Sequence, residues 1–92
     1  MNIDSKVKRC DKVLEAEIDG GIVLMSAASG SYCGLDDIGG EVWRRLLQPI
    51  PVSDLCSALG QLYEGDPATI ESETIALLEQ MAGQSLVEVA GS

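Results

Sequence analysis

Asp36 and Asp37 are adjacent carboxylates, the residue type used by paired general acids and bases. Cys33 lies three positions upstream, and a thiolate is a nucleophile. Neither feature grows into a catalytic set. The chain has no histidine, which removes the commonest general base and the commonest metal ligand. Nothing of that kind is there to activate Cys33, which reads as a small strand residue. The two aspartates read more simply as a helix start, with Asp36 as the cap and Asp37 in the first turn. Cys10, Cys33 and Cys56 are widely spaced and form no C-x-x-C pair, so neither a zinc site nor a disulfide framework is expected. Gly39-Gly40 opens a helix, but Asp36, Asp37 and Glu41 flank it and would repel a phosphate. No nucleophile elbow and no phosphate-binding glycine loop is present. The expectation is a protein that is not an enzyme and that holds neither metal nor cofactor.

Such side chains need few elements to position them. The sequence has 92 residues, enough for one small domain spanning 1–92. Hydrophobic residues make up 46%, which fits a packed chain, and with no Phe the core must be aliphatic around Trp43. The formal net charge is −9, and the six basic residues all precede residue 46. Asp54, Glu64, Asp66, Glu71, Glu73, Glu79 and Glu88 leave the second half purely acidic. Nucleic-acid affinity rests on cations that neutralise phosphates, so no nucleic acid is expected as partner. An anionic membrane is disfavoured too, and no apolar run approaches the ~20 residues that span a bilayer. No signal-peptide pattern opens the chain, and three free thiols suit a reducing cytoplasm.

The hydrophobic period then sets the elements. Residues 14–18 alternate, which predicts a half-buried strand. Asp19-Gly20-Gly21 is a hairpin signal, and the apolar run at 22–27 predicts a second strand that is covered on both faces or central in the sheet. Ser29-Gly30 marks a turn, and 31–35 make a short third strand. At Asp36 the period becomes helical, with Ile38, Val42, Trp43, Leu46 and Leu47 on one stripe up to Pro49. Two further helices are expected over 52–63 and 69–82, with Gly83 as the stop. Leu86, Val87 and Val89 form a short last strand or pack on the core. The ends, 1–7 and 90–92, are expected to fray. The fold class is α+β: a three-stranded antiparallel sheet followed by three helices, like a winged helix-turn-helix.

Residues 31–47, S-Y-C-G-L-D-D-I-G-G-E-V-W-R-R-L-L, resemble the coenzyme PQQ synthesis protein D (PqqD-like) family, the stand-alone RiPP precursor peptide recognition elements. Tyr32, Leu35, Gly39, Val42 and Trp43 match that family's pattern, and Asp36 stands where Asn is common. Val52-Ser53-Asp54-Leu55, Tyr63, Glu73, Leu77-Leu78 and Met81 continue it, over roughly 10–89. Thr74 departs from the usual aliphatic residue, and Ser85-Leu86 replaces the usual Gly-Leu. The resemblance implies a binder of a precursor's leader peptide, which joins the third strand and packs on the third helix. It is most similar to the lasso-peptide version, which works with a leader peptidase and a macrolactam-forming cyclase. A PqqD-type peptide chaperone for a radical-SAM enzyme is the neighbouring alternative.

Elementary physics points to the same place. A last strand that is also an edge offers unpaired N–H and C=O groups, a recognised mode of peptide binding. Ser31, Tyr32, Cys33, Gly34 and Leu35 carry no charge and no proline to discourage pairing. Ile70, Thr74, Leu77 and Leu78 on the third helix would line pockets for apolar anchors, and Glu73 would steer a basic guest. Trp43, Leu46, Leu55 and Leu59 read as plain core. An uncovered third strand can also self-pair between two copies, giving a homodimer. A winged-helix transcription regulator fits the element order, but its third helix would carry glutamates and no Lys or Arg.

Overall fold

The computed structural model describes residues 1–90. Among them, the elements in chain order are β1 (Lys6–Arg9), β2 (Val13–Ile18), β3 (Gly21–Ser26), β4 (Tyr32–Leu35) and α1 (Asp37–Arg45). β5 (Ile50–Pro51), α2 (Val52–Leu62), α3 (Pro67–Gly83) and β6 (Val87–Val89) follow. The expected meander is present as an antiparallel sheet in the order β2-β3-β4. Asp19 and Gly20 turn the first hairpin with φ of 51° and 80°. Two positive φ values in a two-residue turn match the twist of the strands and pin the register, Ile18 opposite Gly21.

A second antiparallel sheet, β5-β1-β6, was not foreseen. It corrects the expectation that residues 1–7 fray. Lys6 and Val7 belong to β1, and Val7 is wholly buried. The carbonyls of Ile3 and Ser5 accept hydrogen bonds from Ser53 and Val52, which ties the first residues to the start of α2. Charged residues around a single inward valine hide this strand from a hydrophobic-period reading. At the other end Ala90 donates to the Lys6 carbonyl at 2.8 Å, so it continues the β6 ladder rather than fraying. Positions 91–92 lie outside the described residues.

α1 starts where its cap says. The Asp36 carboxylate accepts the Gly39 N–H at 2.8 Å and caps α1. A Cβ at Gly39 would come within 3.1 Å of Leu35 and 3.3 Å of the capping oxygen, so only glycine fits there without adjustment. Pro67 opens α3 two residues before the expected start, because proline suits a first helical position. Gly83 is not the left-handed stop. The Leu86 N–H reaches the Met81 carbonyl and the Ser85 N–H reaches Ala82, a Schellman closure with Ser85 in the left-handed position at φ 61°.

Trp43, Leu46, Leu55 and Leu59 are core, as expected, with Leu24, Leu78, Met81 and Leu86 around them. One polar clasp runs through this core. The Arg9 guanidinium lies 4.0 Å above the Trp43 ring and donates to the Trp43 carbonyl at 2.6 Å. The indole N–H donates to Glu15 at 2.6 Å, and Arg9 sits 3.7 Å from the same carboxylate. The clasp joins β1, β2 and α1, and so locks one sheet to the other. Burial lowers the pKa of Arg9 while Glu15 opposes that shift, and the guanidinium remains charged.

β2 is not half-buried. All its residues after Val13 are exposed, including Leu14 at 60% and Ile18 at 56%. The alternation here separates an exposed outer face, with Leu14 and Ile18, from an inner one that Val13 and the Glu15–Trp43 hydrogen bond tie to the core.

Candidate functional site

β4 is an edge of its sheet, with β3 on one side and no strand of the described residues on the other. Its register with β3 pairs Ile22 with Leu35, Val23 with Gly34, Leu24 with Cys33 and Met25 with Tyr32. Ser26 N–H bonds to the Ser31 carbonyl. Hydrogen-bonded pairs alternate in an antiparallel ladder, so Cys33 and Leu35 spend their backbone groups on β3. Tyr32 and Gly34 aim theirs at the free side. These four donors and acceptors, of which the Gly34 carbonyl also receives the Cys33 thiol at 3.9 Å, make no bond to β3 and are the ones a guest strand needs.

The side chains divide the same way. Cys33 and Leu35 point inward and are buried, while Tyr32 is 69% exposed and Gly34 is open. A Cβ at Gly34 would meet nothing within 4 Å, so the space above this backbone is free. Ser31 precedes the strand and belongs to the turn that feeds it. Burial pushes the Cys33 thiol up from its ordinary value, which keeps it protonated and unreactive at neutral pH.

Beyond the end of β4 the chain enters α1, and there an apolar crevice opens against α2 and α3. Ile70, Glu73, Thr74 and Leu77 of α3 line it together. The opposite wall is Ile38, Leu59 and Tyr63. The structure therefore gathers four of the five predicted α3 residues at one place. The fifth, Leu78, is wholly buried and faces the core one residue around the helix from Leu77. It supports the crevice rather than lining it. Thr74 is itself nearly buried, and its hydroxyl opposes the upward push that burial gives the Cys56 thiol. Ile38 and Tyr63 were missed as wall residues. Ile38 falls on a helical stripe that reads as core, yet it is 42% exposed. Tyr63, the cap residue of α2, falls at the end of that helix's apolar stripe and so reads as packing rather than as a wall.

The electrostatics are one-sided. Glu73 is exposed at the mouth of the crevice and makes no ion pair among the described residues. Glu41, by contrast, already holds Arg44 at 3.2 Å and Arg45 at 3.5 Å. No group of histidine, cysteine or acidic residues among the described residues is arranged to hold a metal. No helix is long and apolar enough to cross a membrane.

A small α+β domain whose uncharged edge strand runs into a helix that lines an apolar crevice is thus the class that fold and site define. The family model of coenzyme PQQ synthesis protein D (PqqD) matches residues 21–87, well over half of the sequence, and the chain belongs to that family. No curated protein matches it. Among solved structures it resembles "TbiB1 in complex with the TbiA(beta) leader peptide", at 29% identity and a TM-score of 0.80, over 92% of this chain and 99% of that one. It shares its fold with a lasso peptide synthetase B1 complexed with its leader peptide, at 24% identity and a TM-score of 0.77, over 89% and 96% of the two chains. The PqqD truncation of Methylobacterium extorquens PqqCD is also similar, at 25% identity and a TM-score of 0.73, over 90% and 88%. That solution structure is described as a functional, stand-alone RiPP recognition element.

Proposed function

We propose that this protein binds the leader of a ribosomally made precursor peptide as a strand added to β4, and presents it to modifying enzymes without catalysing a step itself. The observation that carries the reading is the outward-facing backbone of Tyr32 and Gly34 on an uncovered sheet edge, with Ile38, three residues beyond that strand, in one crevice with Ile70, Glu73, Thr74 and Leu77. Backbone pairing supplies affinity, and the crevice supplies selection. Ordering a guest costs ~1–2 kcal/mol of backbone entropy per residue, so strand pairing alone is insufficient and apolar anchors are required. The likeness to two leader-bound B1 proteins supports the same reading.

Presentation needs a second surface. The outer face of the sheet carries Leu14, Ile18 and Tyr32, all exposed, with Val23 and Met25 between them. A contiguous apolar face of that kind marks a protein contact. It suits a leader peptidase or a cyclase that reads the module and the guest together. A radical-SAM partner is the second reading, favoured by the PqqD family match. Titration of a fluorescent synthetic leader, taken from the precursor encoded beside this gene, tests the proposal by anisotropy. Saturable binding is expected, and the absence of binding to any neighbouring precursor refutes it.

A further inference from the structure

The fold gives no internal reason for a glycine at position 34. Left-handed backbone is found at Gly20 and Gly30, not here. The ladder is unbroken, since Tyr32, Cys33, Gly34 and Leu35 pair in succession with Met25, Leu24, Val23 and Ile22, so there is no bulge to accommodate. A Cβ on Gly34 would meet no atom of the described residues within 4 Å, so nothing inside the domain needs the space. Glycine in a strand nevertheless costs backbone entropy and offers its neighbours nothing to pack on. The remaining role of a strand glycine is room for a group that approaches from outside.

On the outer face of the sheet the absent side chain leaves a gap in a row. Ala16, Val23 and Gly34 stand side by side across β2, β3 and β4, and the adjoining row is Leu14, Met25 and Tyr32. Neither row holds a charge. Val23 is half-buried, Tyr32 is exposed, and Gly34 lies between Val23 and the free edge. A guest strand on β4 adds the next position of the row, because opposed residues of paired strands stand on one face. The guest residue opposite Gly34 therefore looks across the glycine at Val23, two strand spacings or ~9–10 Å away. A small aliphatic side chain does not bridge that span and leaves the glycine backbone bare. An aromatic ring lies over the glycine, reaches Val23 and meets the Tyr32 ring along the edge. Aromatic cover of edge glycines stabilises β-sheets, and ordering a ring costs less entropy than ordering a long flexible chain. We infer that Gly34 is a specificity-determining seat: the leader places an aromatic residue opposite it on the outer face, packed over the glycine between Val23 and Tyr32. This rests on the strand-addition reading above and concerns the face of the guest turned away from the helices.

The test is a double-mutant cycle by calorimetry, with the synthetic leader of the neighbouring precursor and alanine replacements of its aromatic residues, one at a time. Gly34→Val keeps the backbone N–H and fills the seat, and the free space above the glycine leaves the fold intact, as checked by thermal melt. The wild-type protein should lose about tenfold in affinity when one particular aromatic is replaced. Gly34→Val should bind the native leader about tenfold more weakly and lose less than about twofold on replacement of that same aromatic. Gly34→Ala should fall between the two. Tyr32→Ala, at a position 69% exposed, should weaken the native leader about threefold, and it decides the matter if Gly34→Val melts early. A leader without aromatic residues, a Gly34→Val protein that binds as tightly as the wild type, or losses that simply add overturns the inference. Strand addition then still stands if Gly34→Pro abolishes binding. Failure of the native leader to bind the wild type instead removes the reading on which the inference rests.

Discussion

The sheet β2-β3-β4 ends in two edges, and the chain has built them differently. On β2, Ala27 donates to Lys12, so the alternation leaves the backbone groups of Val13, Glu15 and Glu17 facing outward. On β4 the outward groups belong to Tyr32 and Gly34. Both edges are therefore chemically able to accept a strand. β2 places two carboxylates on the residues that would pair, and charge on an edge is the ordinary defence against unwanted strands. Two copies of β2 laid antiparallel about Ala16 would set Glu15 against Glu17. β4 has no charge, no proline and no bulge, and it opens beside a crevice where anchors can lodge. An edge becomes a binding site when its defence is absent and a second surface lies within reach of the guest's side chains.

The largest expected effect comes from swapping that condition between the edges. Gly34→Pro removes an N–H that β3 does not use, so the fold should survive, and it puts a ring where the guest backbone must lie. Leader binding should fall by more than about 100-fold, since at least one backbone hydrogen bond is lost and a clash is added. Glu17→Pro removes the equivalent outward N–H from β2 and should leave leader affinity within about twofold. Calorimetry on the pair decides the matter. Normal binding by the Gly34 variant, with unaltered circular dichroism, would mean that the guest does not pair with β4.

A second contrast lies between the two sheets, which the Arg9–Trp43–Glu15 clasp holds together. Arg9→Leu deletes the cation over the indole and leaves the Trp43 carbonyl with the Leu46 N–H as its donor, at a cost of about 1–3 kcal/mol. The thermal midpoint should drop by several degrees, since about 1 kcal/mol moves Tm by roughly 4–8 °C in a domain of this size. Leader affinity at 15 °C should hardly change, because β4 and α3 keep their own supports. A loss of affinity larger than the loss of stability would show that β1 tunes the groove.

The contrast between what was legible in the sequence and what was not follows the same division. The meander, the Asp36 cap and the three helices were readable because each has a local cause: period-2 and period-3.6 patterns, an Asp-Gly turn, a capping carboxylate. The second sheet was not, because β1 contributes one buried residue, Val7, among charges, and β5 is only Ile50–Pro51. Their pairing is decided by contacts far along the chain. At the site, Tyr32 to Leu35 stood out as an uncharged strand, and the α3 stripe gave Ile70, Thr74 and Leu77. Periodicity marks which helical face is apolar but not where along it the core ends, so Leu78 and Leu77 could not be separated. Tyr63 and Ile38 become wall residues only when three helices meet.

The α3 terminus offers a gain rather than a loss. Ser85 occupies a left-handed position that glycine adopts without penalty, where the family usually has glycine. Ser85→Gly should raise stability by about 0.5–1 kcal/mol, the gain from relieving αL strain less the added chain entropy of glycine. A shift in urea midpoint at constant slope would register it, and leader affinity should be unaffected because the closure lies beyond the crevice.

The smallest effect separates the binding edge from the buried side of the same strand by pH. Burial pushes the thiols of Cys33 and Cys56 up, with Glu71 adding to the shift at Cys56 and Thr74 opposing it. A raised pKa means that the folded protein holds the thiol proton more tightly than the unfolded chain does. The stability from these protonated thiols is complete below the unfolded thiol pKa of ~8.5 and is lost as pH climbs from there through the folded values. Urea midpoints should thus fall as pH climbs above about 8.5, and Cys33→Ala should flatten part of that fall. The pairing groups of the free edge do not titrate: Tyr32 and Gly34 offer backbone N–H and C=O. Leader affinity at pH 9 should therefore stay near its neutral value wherever the chain remains folded. A parallel collapse of affinity and stability in the wild type, absent in Cys33→Ala, would place the thiol side of β4 in contact with the guest and reverse the assignment of its two faces.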